Sequence, residues 1–240
     1  MADHPDPDDE HEARPPSGPE VARRALVLAV VSCRGSLEND PDRAGAAAFW
    51  ERVLLWWRSV EIDSSLESAE ADLLSATFGE LPGQSSVNAS WRAEALVVLA
   101  WALRRRDIPP HDIQADPRAT ASALGFLQPT TVLKAPELRS IDELNAYKDV
   151  AFTVHWRLRE FSLRHTAMDF QALCKASWFG PFSLSGVQIL ENDLAVAGKP
   201  LAFASAASVR LATSIASERH QAANWLADAT VPFSETDTST

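Results

Sequence analysis

Four side chains of this sequence have types that could perform acid–base or metal chemistry, and each lies in a segment otherwise rich in apolar residues. They are Glu94, His155, Glu218 and His220. Two imidazoles and two carboxylates could bind a divalent metal that keeps an open coordination position. They could equally act as a general acid and a general base. The arginines available as counter-charges for the carboxylates are Arg92, Arg157 and Arg219.

The spacing of these residues limits the metal interpretation. His220 and Asn224 are four residues apart and share one helix face, whereas Glu218 and His220 are two apart and do not. Other helices would therefore have to supply most ligands of one metal. Buried charges persist when they are paired, and arginine is the usual partner of a carboxylate. We favour a network of ion pairs and hydrogen bonds that fixes helix register; the alternatives are a small-molecule or peptide pocket and a metal or acid–base active site.

Several classes of function lack a signature in the sequence. There is no P-loop, GxGxxG, HExxH or GxSxG motif, and nothing predicts a cofactor or a bound metal. The 240 residues carry a net charge of −11, concentrated at the two ends, where residues 1–20 hold seven acids and one arginine. Because binding to a phosphate backbone requires a basic face, we expect no nucleic-acid partner.

The expected compartment follows from the cysteines and from the apolar runs. Cys33 and Cys174 stand alone with no CxxC spacing, which is typical of reduced, buried and inert thiols in a cytoplasmic protein. No signal peptide is evident, and the best apolar run, residues 25–32, is far shorter than a membrane span. We therefore expect a cytoplasmic protein with no membrane contact.

The elements that must position the polar residues are mostly helices. Apolar periodicity predicts helices at residues 21–34 (stopped by Gly35), 43–62 (capped by Asp42), 87–106, 118–127, 141–163 (capped by Ser140), 169–178, and from Ser205 or Ser208 to about 227. A capping box at residues 64–67 predicts a further short helix that ends near residue 78. The apolar run 95–103 makes the helix at 87–106 the central one.

One stretch changes its period. Residues 187–203 alternate short β-type runs with turn residues at Asn192 and Gly198, which predicts a small β-meander. The predicted fold is therefore mainly α, a single compact multi-helix domain with a β-hairpin or meander near residues 187–203. We assign residues 1–20 to a disordered, acidic, proline-rich tail, residues 21–229 to the helical domain, and residues 230–240 to an acidic Asp/Thr tail.

Four stretches in this order resemble a known family. They are residues 88–103 (NASWRAEALVVLAWAL), 155–159 (HWRLR), 192–200 (NDLAVAGKP) and 218–226 (ERHQAANWL), followed by Asp237 and Thr238. The set is similar to the domain of unknown function 4272 family, over roughly residues 22–238. The resemblance implies a helical, cytoplasmic protein of a mostly bacterial family, and it implies no established activity.

The resemblance also implies which polar positions are characteristic. Combined with the counter-charges above, the candidate binding cluster is Arg92, Glu94, His155, Arg157, Glu218, Arg219, His220, Asn224 and Asp237. From these observations we expect a helical binding or interaction module for an unknown partner protein or small ligand. The alternative is a hydrolase-like enzyme, possibly metal-dependent, that uses His155 and His220 with Glu94 or Glu218.

Overall fold

The computed structural model describes residues 13–129 and 131–240, and these residues form a mainly α single domain, as predicted. Within them lie eight α-helices and a three-stranded antiparallel sheet. The helices are α1 (Gly18–Glu38), α2 (Arg43–Val60), α3 (Ser68–Ser75), α4 (Gly83–Ala102), α5 (Pro117–Ala123), α6 (Ile141–Arg164), α7 (Phe170–Ala176) and α8 (Ala206–Ala227). The strands are β1 (Ile189–Leu190), β2 (Asp193–Val196) and β3 (Lys199–Pro200).

Helix starts follow the predicted caps in three cases. The side chains of Asp42, Ser140 and Ser205 each accept a hydrogen bond from a backbone N–H of the first turn of α2, α6 and α8. The predicted capping box at residues 64–67 is wrong. Residues 63–65 form a 3-10 turn instead, and α3 begins after Glu67, whose reciprocal partner is Glu70. The chain therefore enters α3 one turn later than the sequence pattern indicated.

The predicted stop at Gly35 is also wrong, because α1 continues to Glu38. A β-carbon at position 35 would lie 2.5 Å from the backbone oxygen of Ser86 and 2.8 Å from the carbonyl carbon of Ala89, both in α4. Gly35 therefore allows the backbones of α1 and α4 to approach closely, a role that helical periodicity alone does not separate from a helix stop.

The core has two parts. The larger part is built on α1, α2, α4 and the end of α8, and in it the run from Ala95 to Ala100 in α4 is completely buried, as expected for a central helix. The smaller part contains the second half of α6, α7, β2 and the first half of α8, including Leu158, Phe170 and Leu194. Because α8 contributes to both parts, its polar residues lie where the two parts meet.

The predicted meander is present. The strands pair in the order β1-β2-β3, with Leu190 opposite Asp193 and Val196 opposite Lys199. The turns contain Asn192 (φ 67°) and Gly198 (φ 71°), which adopt the left-handed conformation that these residue types tolerate best. None of the helices in the described ranges is both long and apolar enough to cross a bilayer.

The N-terminal boundary differs from the prediction. Residues 1–12 of the predicted disordered tail lie outside the described residues, but Gly18–Glu20 form the first turn of α1. The Glu20 side chain accepts bonds from the backbone N–H (2.8 Å) and hydroxyl (2.7 Å) of Ser17, which fixes the helix start. Arg14 donates to the carbonyl of Ala229 (2.8 Å), so the chain before α1 is attached to the end of α8.

Candidate functional site

The nine residues of the predicted cluster lie on three neighbouring helices and on the segment that follows α8. Arg92 and Glu94 come from α4, His155 and Arg157 come from α6, and most of the others come from α8. They do not converge on one point. Instead they form four hydrogen-bonded sets, and each set joins two or more elements of the fold.

The first set is the ion pair of Glu94 and Arg219, which are only 2% and 4% exposed. The Nε and Nη2 atoms of Arg219 lie 3.0 and 2.8 Å from Oε2 of Glu94. The remaining N–H groups of Arg219 donate to the carbonyls of Pro109 (2.8 Å), Pro110 (3.0 Å) and Ile113 (2.8 Å). Oε1 of Glu94 accepts from the backbone N–H of Ala115 (2.8 Å). The pair therefore holds residues 109–115, the loop between α4 and α5, against α4 and α8.

The second set joins α4 to α8 nearer the surface. Nη1 of Arg92 donates to Oε2 of Glu218 (3.0 Å) and to Oε1 of Gln221 (2.7 Å), and the side chains of Arg92 and Glu218 are 28% and 19% exposed. Burial raises the pKa of Glu218 above its ordinary value, although Arg92 acts in the opposite direction. Glu218 is thus paired with Arg92 of α4, whereas His220 faces a different helix. This agrees with the prediction, made from their spacing, that the two side chains do not share one face of α8.

The third set is a chain of hydrogen bonds through two histidines. Nδ1 of His155 on α6 lies 3.0 Å from Nδ1 of His220 on α8. Nε2 of His220 lies 3.1 Å from Nδ2 of Asn224, which also donates to the backbone carbonyl of Asp237 (2.8 Å). Asp237 therefore enters the set through its main chain, whereas its carboxylate accepts from Ser239.

The direction of this chain follows from the atoms at its end. A carbonyl can only accept, so the amide nitrogen of Asn224 is correctly oriented as a donor to both of its partners. Nε2 of His220 then accepts, its proton lies on Nδ1, and this proton is donated to Nδ1 of His155. Both rings are therefore neutral, and burial lowers the pKa of each to about 4.

The fourth set joins α6 to the sheet. Nε and Nη2 of Arg157 bind the two carboxylate oxygens of Asp193 on β2, each at 2.7 Å, and Nη1 binds Glu160 at 2.7 Å. Nη2 also donates to the carbonyl of Thr166 (3.1 Å). Arg157 is fully buried and Asp193 is 2% exposed. Two parallel bonds of this kind fix relative orientation as well as distance, so this set positions the meander.

These contacts limit what the predicted cluster can do chemically. Over the described ranges, no three His, Cys, Asp or Glu side chains are grouped so that they could hold a metal ion. Glu94 and Glu218 are each paired with an arginine, and His220 uses both ring nitrogens within the protein. In these contacts the side chains of the predicted cluster bind one another and the main chain, and they connect α8 to α4 and to α6.

A cavity of about 550 Å³ lies beside the Glu94–Arg219 pair, between α6, the 109–115 loop and residues 185–187. We call it the α6 cavity. Its lining is mainly apolar and includes Trp101, Ile108, Pro109, His111, Tyr147, Val150, Val187 and Arg219. Arg219 is the one member of the predicted cluster in this lining. Glu94 acts on the cavity indirectly, because it holds the loop that forms one wall.

Among the polar residues of this cavity that were missed from the sequence, His111 and Tyr147 carry aromatic rings. Nε2 of His111 lies 2.6 Å from the carbonyl of Ala195 on β2, so it carries the proton and leaves Nδ1 as an acceptor. Burial lowers the pKa of His111. Tyr147 packs against Trp101 with ring centroids 4.9 Å apart, and burial raises its pKa to about 12. Its hydroxyl makes no hydrogen bond to the part of the chain described. The sequence signals were weak: a histidine after Pro-Pro, and the single tyrosine.

The two cysteines differ from their predicted environment. Both are free and partly exposed rather than buried. Burial still raises the pKa of Cys33 to about 12 and that of Cys174 to about 11, which keeps both thiols protonated at neutral pH.

A family model described as Domain of unknown function (DUF4272) matches residues 1–173, which is more than half of the chain. The chain belongs to this family. The DUF4272 match covers α1 to α6 and therefore Arg92, Glu94, His155 and Arg157 as well as His111 and Tyr147. The meander and α8 follow the matched range. Comparison with curated proteins and with solved structures gives no match.

Proposed function

We propose that this DUF4272 protein is a cytoplasmic, non-catalytic binding module and that the α6 cavity holds a small ligand. The observation that carries the proposal is Tyr147, a residue in the lining of a largely apolar cavity, whose hydroxyl makes no hydrogen bond to the residues described. A volume of about 550 Å³ lies within the range of small-molecule sites. Such sites combine an apolar lining with a few polar groups that fix orientation.

The chemistry of the lining indicates a neutral ligand. The buried charged group at the cavity, Arg219, is already paired with Glu94. Nearer the solvent, Glu143 is paired with Arg139 (2.8 Å) and Arg104 (3.2 Å), and Asp107 is 99% exposed and lies 3.9 Å from Arg139. The polar groups left for a ligand include the Tyr147 hydroxyl and Nδ1 of His111. A small planar molecule with an amide-like group could accept from the first and donate to the second, while its ring packs on Trp101.

The alternative is a hydrolase-like enzyme that uses His155 and His220 with Glu94 or Glu218. These contacts give it no support, because the carboxylates are paired with arginines and the imidazoles bind each other. A protein-binding role is compatible with the proposal, and it is carried by a different surface, as argued below.

Benzamide is a suitable first probe, because it is flat and neutral and carries both a donor and an acceptor. We expect it to shift the Trp101 indole resonance with a Kd of order 1 mM, the value for a fragment of this size at about −0.5 kcal/mol per non-hydrogen atom. Tyr147→Phe removes the hydroxyl and keeps the ring, so it should weaken binding roughly three- to tenfold.

Two tryptophan variants make a matched pair on α6. Ala146 lines the cavity and is exposed, so Ala146→Trp should block the entrance and abolish the shift without disturbing the fold. Asn145, the preceding exposed residue, is outside the lining, so Asn145→Trp should leave binding unchanged. Absence of any benzamide effect on the parent, or equal loss in both variants, would contradict the proposal.

A further inference from the structure

The residues after α8 return across the helical domain and are fastened to it mainly through their backbone. We call Val231–Asp237 the C-terminal strap. The Glu67 carboxylate, at the start of α3, accepts from the backbone N–H of Phe233 (2.6 Å) and of Ser234 (3.1 Å). Gln221 of α8 donates to the carbonyl of Phe233 (2.9 Å), and Asn224 donates to that of Asp237 (2.8 Å). Phe233–Glu235 form a short 3-10 turn, and the Glu67 carboxylate binds the first two N–H groups of this turn.

One side chain anchors the strap. Phe233 is 2% exposed, although most of its neighbours in the strap are exposed. Its ring meets Trp225 edge to face, with centroids 5.8 Å apart. The guanidinium groups of Arg24 and Arg92 lie 5.6 and 5.9 Å from the ring centroid. An aromatic side chain is favoured here, because cations are attracted to the face of a ring and the indole packs against its edge.

The strap does not fill the space in which it lies. A cavity of about 390 Å³ adjoins Phe233 on the side of α3 and α4, and its lining includes Leu73 and Asn88. A second cavity of about 190 Å³ adjoins Phe233 on the side of α1 and Trp225. Val231 is 41% exposed, so the strap contributes little apolar burial beyond its one anchor. A larger aromatic side chain could therefore be accommodated at the anchor position.

We propose that the groove formed by Arg24, Glu67, Arg92, Gln221 and Trp225 is a docking site for a turn-forming segment of a partner protein, and that the strap occupies this site in cis. The partner segment presents one aromatic anchor, larger than phenylalanine, and the backbone N–H groups of the anchor residue and of the next residue bind Glu67, as those of Phe233 and Ser234 do. The proposal is independent of the α6 cavity, which lies on other residues.

The strap is covalently joined to α8, and this connection explains why the occupant that displaces it is a partner rather than a second copy of this chain. A segment joined by a short linker is present at an effective concentration in the millimolar range. The identical segment of a second copy makes the same contacts and has no advantage over the tethered one. A partner segment can displace the strap only through higher affinity, and the unfilled volume beside Phe233 provides the means.

Fluorescence anisotropy with labelled peptides tests this proposal on the full chain. The probe is the peptide of residues 228–240 carrying Phe233→Trp, and the control peptide carries Phe233→Ala. The parent chain should bind the tryptophan peptide weakly, because its own strap competes. The full-length Phe233→Ala variant should bind it at least about tenfold more tightly, since each tenfold requires 1.4 kcal/mol of strap affinity to be lost. The alanine peptide should bind neither chain.

A second pair of variants protects the test against loss of folding in Phe233→Ala. Ser234→Pro removes a backbone N–H that Glu67 accepts but leaves the core ring in the chain, and it should also increase peptide affinity. Glu235→Gln, at the next exposed position, keeps both N–H groups and should behave as the parent does. Equal peptide affinity in all variants that melt cooperatively would overturn the proposal. So would concentration-dependent dimers of Ser234→Pro that bind no peptide, because the occupant would then be a second copy.

Discussion

Two adjacent residues of α8 attach this helix to its two neighbours by opposite means. Arg219 binds Glu94 of α4 through a buried pair of full charges, whereas His220 binds His155 of α6 through a hydrogen bond between neutral rings. Both attachments are almost completely buried. At the same degree of burial, the Arg219–Glu94 attachment is therefore charged and the His220–His155 attachment is neutral.

In the charged attachment, every N–H donor of Arg219 is satisfied within the protein. Arg219 has five N–H donors, and each has an acceptor: two bonds go to Glu94 and three go to the carbonyls of Pro109, Pro110 and Ile113. Such a pair contributes little beyond what well-packed apolar residues would, but it does not tolerate the loss of one partner. Its main consequence is geometric, because it fixes the loop that walls the α6 cavity.

The neutral attachment between His220 and His155 depends on pH instead. Its chain runs from Asn224 through His220 to His155, and every proton in it has a fixed direction. A proton added to Nε2 of His220 would face the amide N–H of Asn224, so protonation breaks the chain at this point. The comparison thus teaches that the Glu94–Arg219 attachment is sensitive to the loss of one partner, whereas the His155–His220 attachment is sensitive both to mutation and to mild acid.

The largest effect is expected on the charged side. Arg219→Met should leave the Glu94 carboxylate buried without a counter-charge and reduce the free energy of unfolding by about 3–5 kcal/mol. For a chain of this length each kcal/mol lowers the Tm by about 2–4 °C, and calorimetry would measure the decrease. Arg92→Met is the matched control, since its pair with Glu218 joins the same two helices but is partly exposed; we expect about 1 kcal/mol or less.

A double variant distinguishes lost pairing from lost packing. In Arg219→Met with Glu94→Gln no buried charge remains, so part of the stability should return. If the double variant is as unstable as the sum of the single variants, the charges act independently, and the comparison between the two sides of α8 fails.

The neutral side predicts a dependence on pH. The pKa of His155 and of His220 is about 4 in the folded protein, and an ordinary histidine in the unfolded chain has a pKa near 6.5. The unfolded state therefore takes up protons first as the pH falls. The stabilisation from this pair is fully present above pH 6.5 and is lost between pH 6.5 and 4, by up to about 3 kcal/mol for each ring.

Urea unfolding at pH 7.5, 5.5 and 4.5 would measure this loss. The double variant His155→Gln with His220→Gln should be less stable at pH 7.5 but should lose less stability than the parent on going to pH 4.5. His165→Asn, at the exposed C-terminus of α6, is the control and should keep the parental pH dependence. Parallel curves for parent and double variant would show that the neutrality of the pair has no energetic consequence.

Local signals in the sequence predicted the helices and the meander well. The caps at Asp42, Ser140 and Ser205 depend on residues within one turn, and the buried run in α4 needs no knowledge of its neighbours. Gly35 could not be interpreted in this way. Its role depends on the backbone of α4, about fifty residues away, and a glycine at a helix end and a glycine at a helix crossing look alike in sequence.

Local signals in the sequence could not predict which residues of the cluster bind each other. Helical spacing correctly placed Glu218 and His220 on different faces and His220 with Asn224 on one face. It could not tell which of several arginines binds which carboxylate, because this depends on how α4, α6 and α8 cross. His111 and Tyr147 were missed for the same reason, since each becomes notable only beside the cavity that tertiary packing creates.

The smallest effect is expected for a variant of Asn224, whose side-chain amide donates to His220 and so favours the neutral form of the histidine pair. Asn224→Asp is nearly isosteric, but it replaces the N–H donor to His220 with a carboxylate, which favours the protonated ring. The variant also loses the donor to the carbonyl of Asp237. We expect the free energy of unfolding to fall by about 1 kcal/mol at pH 7.5 and by less at pH 5, and we expect the pKa of His220 to lie well above its value of about 4 in the parent.

Titration of the histidine ring resonances by NMR would measure this pKa. A pKa that stays near 4 would mean that burial alone keeps His220 neutral, and the direction of the proton chain would then have no influence on how α8 is attached to α6.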